Sequence, residues 1–150
     1  MRSPLLRLPG EIRNRIYEFV SYGENTTRDD LLETCKQIRH EALPIYYSHI
    51  SLLFYDFGEI EDGVKRTKPQ LLARVKSIRT SAQPTKEMAW SVLSSSKFWT
   101  SSYIKYAGYL PGLKYWHVYG YLWLESQQDV VKGIRQLMGR DVEVTFDTTE

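Results

Sequence analysis

Apolar residues at helical spacing mark the N-terminal third of the chain. Between Glu11 and Ser21 they recur at positions i, i+4, i+7 and i+8, which is typical of one face of an amphipathic helix. A polar break follows, and Thr27 with Asp30 three residues later makes an approximate capping box for a second helix. Pro44 is expected to end or bend that helix, because proline removes a backbone donor and clashes with the preceding turn.

Short apolar runs in the remainder of the chain predict strands. Four runs have the length and the flanking turn residues of strands: residues 52–56, 77–80, 114–121 and 142–146. The segment from Leu113 to Leu122 is apolar or aromatic on both alternating faces, which is typical of a central strand covered on both sides. The last run alternates strictly between apolar and polar residues, so it predicts a strand with one solvated face.

Helical patterns separate these runs. A first-turn proline predicts a helix at Pro69, and another begins at Thr85. A capping box at Ser126 begins a third helix, which Gly139 closes. The charged stretch 59–68 is expected to form a loop. Since strands that alternate with helices imply right-handed crossovers, the predicted fold class is α/β, with an N-terminal helical pair followed by alternating helices and strands in a small, mostly parallel four-stranded sheet.

Length and charge limit the number of domains and the class of protein that the sequence can form. The 150 residues are most simply a single domain, with a helical portion over residues 5–48 and an α/β portion over 50–150. The net charge is +2, with signs interleaved, so neither nucleic acid nor any particular oligomeric state is indicated. No apolar run reaches the roughly 18 residues that span a bilayer. A single cysteine and the lack of an apolar N-terminal run indicate an intracellular protein, cytoplasmic or nuclear.

No sequence motif indicates catalysis, a cofactor or a metal. The nucleophile-elbow, phosphate-loop and dinucleotide glycine patterns are missing, and the histidines lack the spacing of a zinc site. Cys35 lies on the apolar side of a predicted helix, where a plain buried thiol is expected. Acidic residues cluster over residues 56–62 without the spacing of a calcium loop, so we expect them to be solvated.

His117 and the aromatic residues leave an alternative open. We expect His117 to be a core histidine satisfied by one backbone group, and the alternative is a general base beside Glu125 or Asp141. Aromatic residues make up 13% of the chain, and eight of them crowd its C-terminal half: Tyr103, Tyr106, Tyr109, Tyr115, Trp116, Tyr119, Tyr121 and Trp123. Most of these rings are expected in the core, although they also suit a groove for a peptide or a small ligand.

Three N-terminal segments resemble a known family: residues 8–17 (LPGEIRNRIY), 31–39 (LLETCKQIR) and 41–47 (EALPIYY). Over residues 5–57 the chain is similar to the N-terminus of the large fungal family of F-box-like proteins, which includes relatives named for two Glu-x-Arg motifs. The first motif matches at residues 11–13, whereas Gln37 stands where the second has Glu. Residues 75–79 and 110–114 are similar to segments of the C-terminal halves of these proteins, which often look like irregular leucine-rich arrays.

This resemblance implies a function in protein interaction. F-box helices begin at a Leu-Pro pair and bury apolar side chains in the Skp-type adaptor of a cullin ubiquitin ligase, and the C-terminal part holds a protein substrate. Carried onto this chain, the adaptor contacts are Leu8, Pro9, Ile12, Ile16, Leu31 and Leu32. The family usually has a third helix. The alternative is that these residues pack the two helices on the sheet, as in a copy of the family that binds no adaptor.

The predicted function is therefore a non-enzymatic protein-interaction module with an unknown protein substrate and no cofactor. The alternative is a small α/β enzyme, or a binder of peptides or small ligands, that uses the aromatic C-terminal half. Arg13 and Arg39 lie near Glu11 and Glu41, so we expect surface or helix-linking ion pairs in place of a partner-binding pair.

Overall fold

A computed structural model gives the structure of the protein over residues 3–21, 28–55, 57–94 and 108–147. The chain divides into two units, Met1–Ile50 and Ser51–Glu150. We refer to them as the helical unit and the sheet unit.

The helical unit has its own small core. A single 3-10 turn, Pro4–Arg7, precedes three helices: α1 (Gly10–Ser21), α2 (Arg28–Thr34) and α3 (Lys36–His49). Both α1 and α2 pack against α3. The core consists of Tyr17, Ile38 and Ala42, all of them buried, with partly buried aliphatic side chains around them. The predicted helix over residues 11–21 is confirmed.

A break at Cys35 divides the second predicted helix into two. Cys35 has an extended backbone (φ −159°, ψ 165°) and is the N-cap of α3, so the unit has three helices instead of the predicted pair. Side chains bind carbonyls at the end of α2: the Thr34 hydroxyl donates to the Leu31 carbonyl, and Arg39 Nε donates to the Leu32 carbonyl at 2.6 Å. The helix does not end at Pro44. Helix α3 continues through this proline and ends at His49.

The sheet unit alternates strands and helices in the order β1 (Ser51–Phe54), α4 (Phe57–Arg66), α5 (Pro69–Leu72), β2 (Ser77–Ser81), α6 (Ala82–Leu93), β3 (Tyr115–Tyr119), α7 (Leu124–Met138) and β4 (Glu143–Phe146). The four strands pair in the order β1-β2-β3-β4, and every pair is parallel. The predicted α/β fold class with a parallel four-stranded sheet is therefore confirmed.

One face of this sheet is covered by helices. In a sheet of consecutive strand order, right-handed crossovers place all the connecting helices on the same side. Ile78, Trp116 and Val118 are buried on that side, and α6 packs against both β2 and β3. Trp116 Nε1 donates a 2.7 Å hydrogen bond to the Thr80 hydroxyl, so the buried indole nitrogen is satisfied.

The opposite face of the sheet is open, which corrects the expectation for the third strand. Tyr115 is 48% exposed, and His117 and Tyr119 are only partly buried. The sequence suggested a strand covered on both sides because its outward positions carry aromatic rings. Those rings line an exposed face instead of a second core.

The expected loop over residues 59–68 is mostly a helix. Ile60 and Val64 lie four residues apart in α4 and are both buried, so they anchor one face of the helix to the unit. Lys65 and Glu61 pair on its surface at 2.7 Å. The charges that suggested a loop are the solvated side of an amphipathic helix.

Gly133 lets α6 and α7 approach very closely. A Cβ atom added at Gly133 would lie 2.6 Å from both the Cα and the Cβ of Ala89. Val130 and Ile134, on the same helix, are fully buried beside this crossing. As predicted, α7 closes at Gly139, whose backbone is left-handed with φ 62°.

Candidate functional site

Large apolar side chains on the outside of the first helix form the candidate site. Ile12, Ile16 and Phe19 recur at i, i+4 and i+7 and so share one face of α1, and Leu8 precedes them at the start of the helix. Leu8 is 38% exposed, Ile12 43% and Phe19 82%, whereas Ile16 is half-buried. We call these four residues the α1 stripe.

The Leu-Pro pair begins the helix that carries this stripe. The Pro9 carbonyl accepts hydrogen bonds from the backbone N–H groups of Ile12 and Arg13. Pro9 lies immediately before the first helical residue, so the N–H group that proline lacks is not needed by the helix. Pro9 itself is exposed, next to Leu8.

The inward side of α1 is polar and is tied to α3. Arg13 makes a two-pronged ion pair with Glu41, with Nε 2.8 Å from Oε2 and Nη2 2.9 Å from Oε1. The buried Tyr17 hydroxyl donates to Glu41 Oε2 at 3.0 Å. A third Arg13 nitrogen donates to the Leu8 carbonyl at 2.6 Å, so the same guanidinium also holds the start of the helix.

This arrangement determines which face of α1 points outward. Arg13 and Tyr17 lie four residues apart on the inward face, as do Gln37 and Glu41 on α3. The predicted helix-linking ion pair is therefore confirmed for Arg13 and Glu41. Leu8 and Ile12 lie outside the core of the helical unit.

Hydrogen bonding makes the Glu41 carboxyl unusually acidic. Hydrogen bonds from Arg13, Gln37 and Tyr17 lower its pKa from 4.5 to about 2, against a smaller opposing effect of burial. Burial raises the pKa of the Tyr17 hydroxyl, and its bond to Glu41 acts in the same direction. The network is therefore built around an ionised Glu41.

We expect the helical unit to lose stability in acid as Glu41 is protonated. Because its pKa is lower in the folded than in the unfolded chain, the stabilisation is complete above pH 4.5 and is lost as the pH falls from there to about 2. Carbon-detected NMR of the Glu41 carboxyl should give a titration midpoint near pH 2. In Arg13→Ala the midpoint should move up toward 4.5, and a wild-type midpoint already near 4.5 would contradict the network.

Gln37 also contributes to this network, from within α3. The amide Nε2 of Gln37 donates to Glu41 Oε1 at 3.0 Å. A glutamate at position 37 would bring a second carboxylate to the same place, and like charges that close disfavour ionisation. The amide supplies a donor that a carboxylate lacks.

The two remaining predicted contacts belong partly to the core. Leu31 and Leu32 on α2 are half-buried and pack against the cluster of Tyr17, Ile38 and Ala42. Cys35, expected to be a buried thiol, is half-buried against the same cluster. Of the six residues named from the sequence, Leu8, Pro9 and Ile12 are the exposed ones.

Phe19 is not among the adaptor contacts named from the sequence. It follows Ile12 and Ile16 at helical spacing, which is the signal that places it on the α1 stripe. It is also the most exposed large apolar residue of the described part of the chain.

His117 is not the core histidine that the sequence suggested. Its Nε2 lies 2.9 Å from Asp147 Oδ1 and its Nδ1 lies 2.9 Å from the Thr145 hydroxyl, on the open face of the sheet. The two candidate carboxylates, Glu125 and Asp141, are not its partners, and Asp141 pairs instead with Arg135. The sequence offered no signal for Asp147, which follows the last strand.

The hydrogen bonds of His117 and Asp147 connect β3 with β4 and the residue that follows it. The Gly120 N–H donates to Asp147 Oδ2 at 2.8 Å, and this bond, followed by the bond from His117, lowers the pKa of Asp147. Both ring nitrogens of His117 are thus occupied within the sheet. His117 therefore links β3 to Thr145 on β4 and to Asp147, which follows that strand.

Four of the six described rings of this set lie on the surface, contrary to expectation. Trp116 is buried, but Tyr109, Tyr115, Tyr121 and Trp123 are between 38% and 68% exposed. Tyr103 and Tyr106 lie outside the described residues. The buried positions that the rings were expected to fill carry mainly aliphatic side chains of α6 and α7.

A cavity of about 400 Å³ lies between α6 and α7, and none of the six described rings of the predicted groove lines it. Its aromatic lining residue is Trp90. Within the described ranges there is no group of three or more metal-binding side chains, and no helix there has the length and apolarity to cross a membrane.

Comparisons with known proteins found no match. This holds for family models, for curated proteins and for solved structures.

Proposed function

We propose that the chain is a non-enzymatic protein-interaction module of the F-box kind, acting in the cytoplasm or nucleus. In this proposal the α1 stripe binds a Skp-type adaptor, and the sheet unit holds a second protein. The observation that carries it is the exposure of Leu8, Ile12 and Phe19 on one side of a helix whose other side is fixed by Arg13 and Glu41.

Exposed apolar side chains of this size favour a partner. Fully burying one large aliphatic or aromatic side chain contributes about 1.5–3 kcal/mol. Phe19 is 82% exposed, so a partner that covers it would bury most of its side chain and obtain most of this free energy. Contiguous apolar surface on a folded protein is typical of interaction sites.

The rigidity of α1 also supports the proposal. The ion pair to Glu41 and the bond to the Leu8 carbonyl fix the helix and the Leu-Pro turn before any partner arrives. A helix that is already ordered lowers the conformational entropy lost on binding to that of its side chains. The helical unit also has three helices, the number that the F-box resemblance implies.

Titration of the purified chain with a purified Skp-type adaptor tests the proposal. We expect binding by the wild type and its loss in the double variant Leu8→Asp, Ile12→Asp. The melting temperature of that variant should stay within about 2 °C of wild type, because both side chains are already exposed. The matched control is Leu53→Asp, an equally exposed apolar residue of the sheet unit, which should bind as wild type.

Each other outcome counts against the proposal. A wild type that gives no binding, or a double variant that binds like wild type, would contradict the adaptor function. A double variant that unfolds would show that Leu8 and Ile12 support the core. Loss of binding in Leu53→Asp as well would move the contact away from α1.

A further inference from the structure

The open face of the sheet presents an arginine at its centre. Side chains alternate along each strand, so Leu53, Arg79 and His117, which are register partners across β1, β2 and β3, lie side by side on this face. Arg79 is exposed and lies on one of the two inner strands. Any molecule that covers the middle of the face would contact it.

Apolar and aromatic groups surround Arg79. Leu53 is 48% exposed, and Tyr115 on the neighbouring strand has the same exposure. Tyr55 and Tyr119 stack edge to face across the next row, with ring centroids 6.4 Å apart. Ser77 and Ser81 flank Arg79 on its own strand. None of these neighbours is acidic.

No carboxylate of the sheet neutralises this arginine. Among the described residues no ion pair involves Arg79. Asp147 is close enough for the Arg79 charge to lower its pKa slightly, but its two oxygens are bonded to His117 and to the Gly120 N–H. Glu143 is the register partner of Tyr115, on the outermost strand. Within the described ranges the guanidinium thus has no carboxylate partner, and its donors suit a group from outside.

We propose that the open face binds a segment of another protein that carries one Asp or Glu side chain between apolar side chains. The carboxylate pairs with the planar fork of Arg79, whose geometry matches two carboxylate oxygens. The flanking apolar side chains rest on Leu53, Tyr55 and Tyr115. Arginine and tyrosine are also the residues that most often dominate binding at protein interfaces.

This inference rests on the part of the proposed function that gives the sheet unit a protein partner, and it does not depend on adaptor binding. The two surfaces belong to different units of the chain. The double variant Leu8→Asp, Ile12→Asp should therefore keep full binding at the open face. The two proposals thus fail separately.

Selection from a random peptide library on the immobilised full chain, followed by anisotropy with synthetic peptides, tests the inference. We expect the selected peptides to share an Asp or Glu flanked by apolar residues. Arg79→Ala should weaken such a peptide about tenfold or more, as should replacing its acidic residue by the amide. Combining the two changes should add little to either, because both remove the same contact.

The control is Arg74→Ala, an exposed arginine that lies outside the strands of the same unit. It should leave peptide affinity unchanged, and both variants should melt like wild type. Peptides that bind equally to Arg79→Ala, or a library that yields no binder, would overturn the inference. Arg79-dependent binding of a random RNA oligonucleotide, with no peptide selected, would assign the face to nucleic acid and also overturn it.

Discussion

Replacing Gly133 with leucine should destabilise the sheet unit by about 3 kcal/mol or more, which lowers its melting temperature by about 10 °C or more. A Cβ atom there would lie 2.6 Å from the Cα and Cβ of Ala89, and backbone atoms cannot rotate aside as a flexible side chain can. The helices α6 and α7 would have to separate. Thermal unfolding followed by tryptophan fluorescence, for which buried Trp116 is a reporter, measures the effect.

The alanine variants provide the sharper comparison. Alanine is favoured over glycine by about 1 kcal/mol inside a helix, so Gly133→Ala would stabilise the protein if space were available. We expect it to destabilise instead. Gly10→Ala is the control, since the nearest atom to an added Cβ would be Arg13 Nη2 at 3.8 Å, an ordinary van der Waals distance. A Gly133→Ala protein as stable as wild type would contradict the close helix crossing.

Replacing Glu41 with alanine should open the helical unit. The change removes the acceptor for Arg13, Tyr17 and Gln37 at once and leaves the buried Tyr17 hydroxyl without a partner. Hydrogen bonds to charged groups contribute about 1.5–3 kcal/mol, and because Glu41 is partly exposed we expect a loss of about 2 kcal/mol. That corresponds to about 30-fold faster amide exchange in α1 and α3, where exchange is governed by the opening equilibrium.

Mass spectrometry of hydrogen exchange checks this loss peptide by peptide. The control is Glu18→Ala, an exposed acidic residue on α1. Exchange in the sheet unit should be unaffected by either change. Equal exchange rates in Glu41→Ala and Glu18→Ala would show that the network does not hold the unit together.

The sequence predicted the strands of the sheet more accurately than the helix between the first two. Each strand is a short apolar run bounded by turn residues. Neighbouring residues alone are therefore enough to predict it. In α4 the density of charge outweighed a two-residue apolar signal, Ile60 and Val64. The break at Cys35 depends on where α2 and α3 pack, which local propensity does not encode.

The candidate site could be only partly predicted for the same reason. The apolar spacing on α1 is visible in the sequence, but it does not show whether that face is core or surface. Arg13 and Tyr17 face inward because Glu41 lies opposite them, 28 and 24 residues further along the chain. Such long-range pairing also explains why His117 was assigned to the core, since its partner Asp147 is 30 residues away.

Hydrogen exchange of the chain with and without a purified Skp-type adaptor tests the central proposal, an outward α1 stripe that binds a partner, most directly. We predict slower exchange in peptides that cover residues 8–20 when the adaptor is present, with no change in β2 and β3. Slower exchange confined to the sheet unit, or no change at any residue at saturating adaptor, would contradict the account.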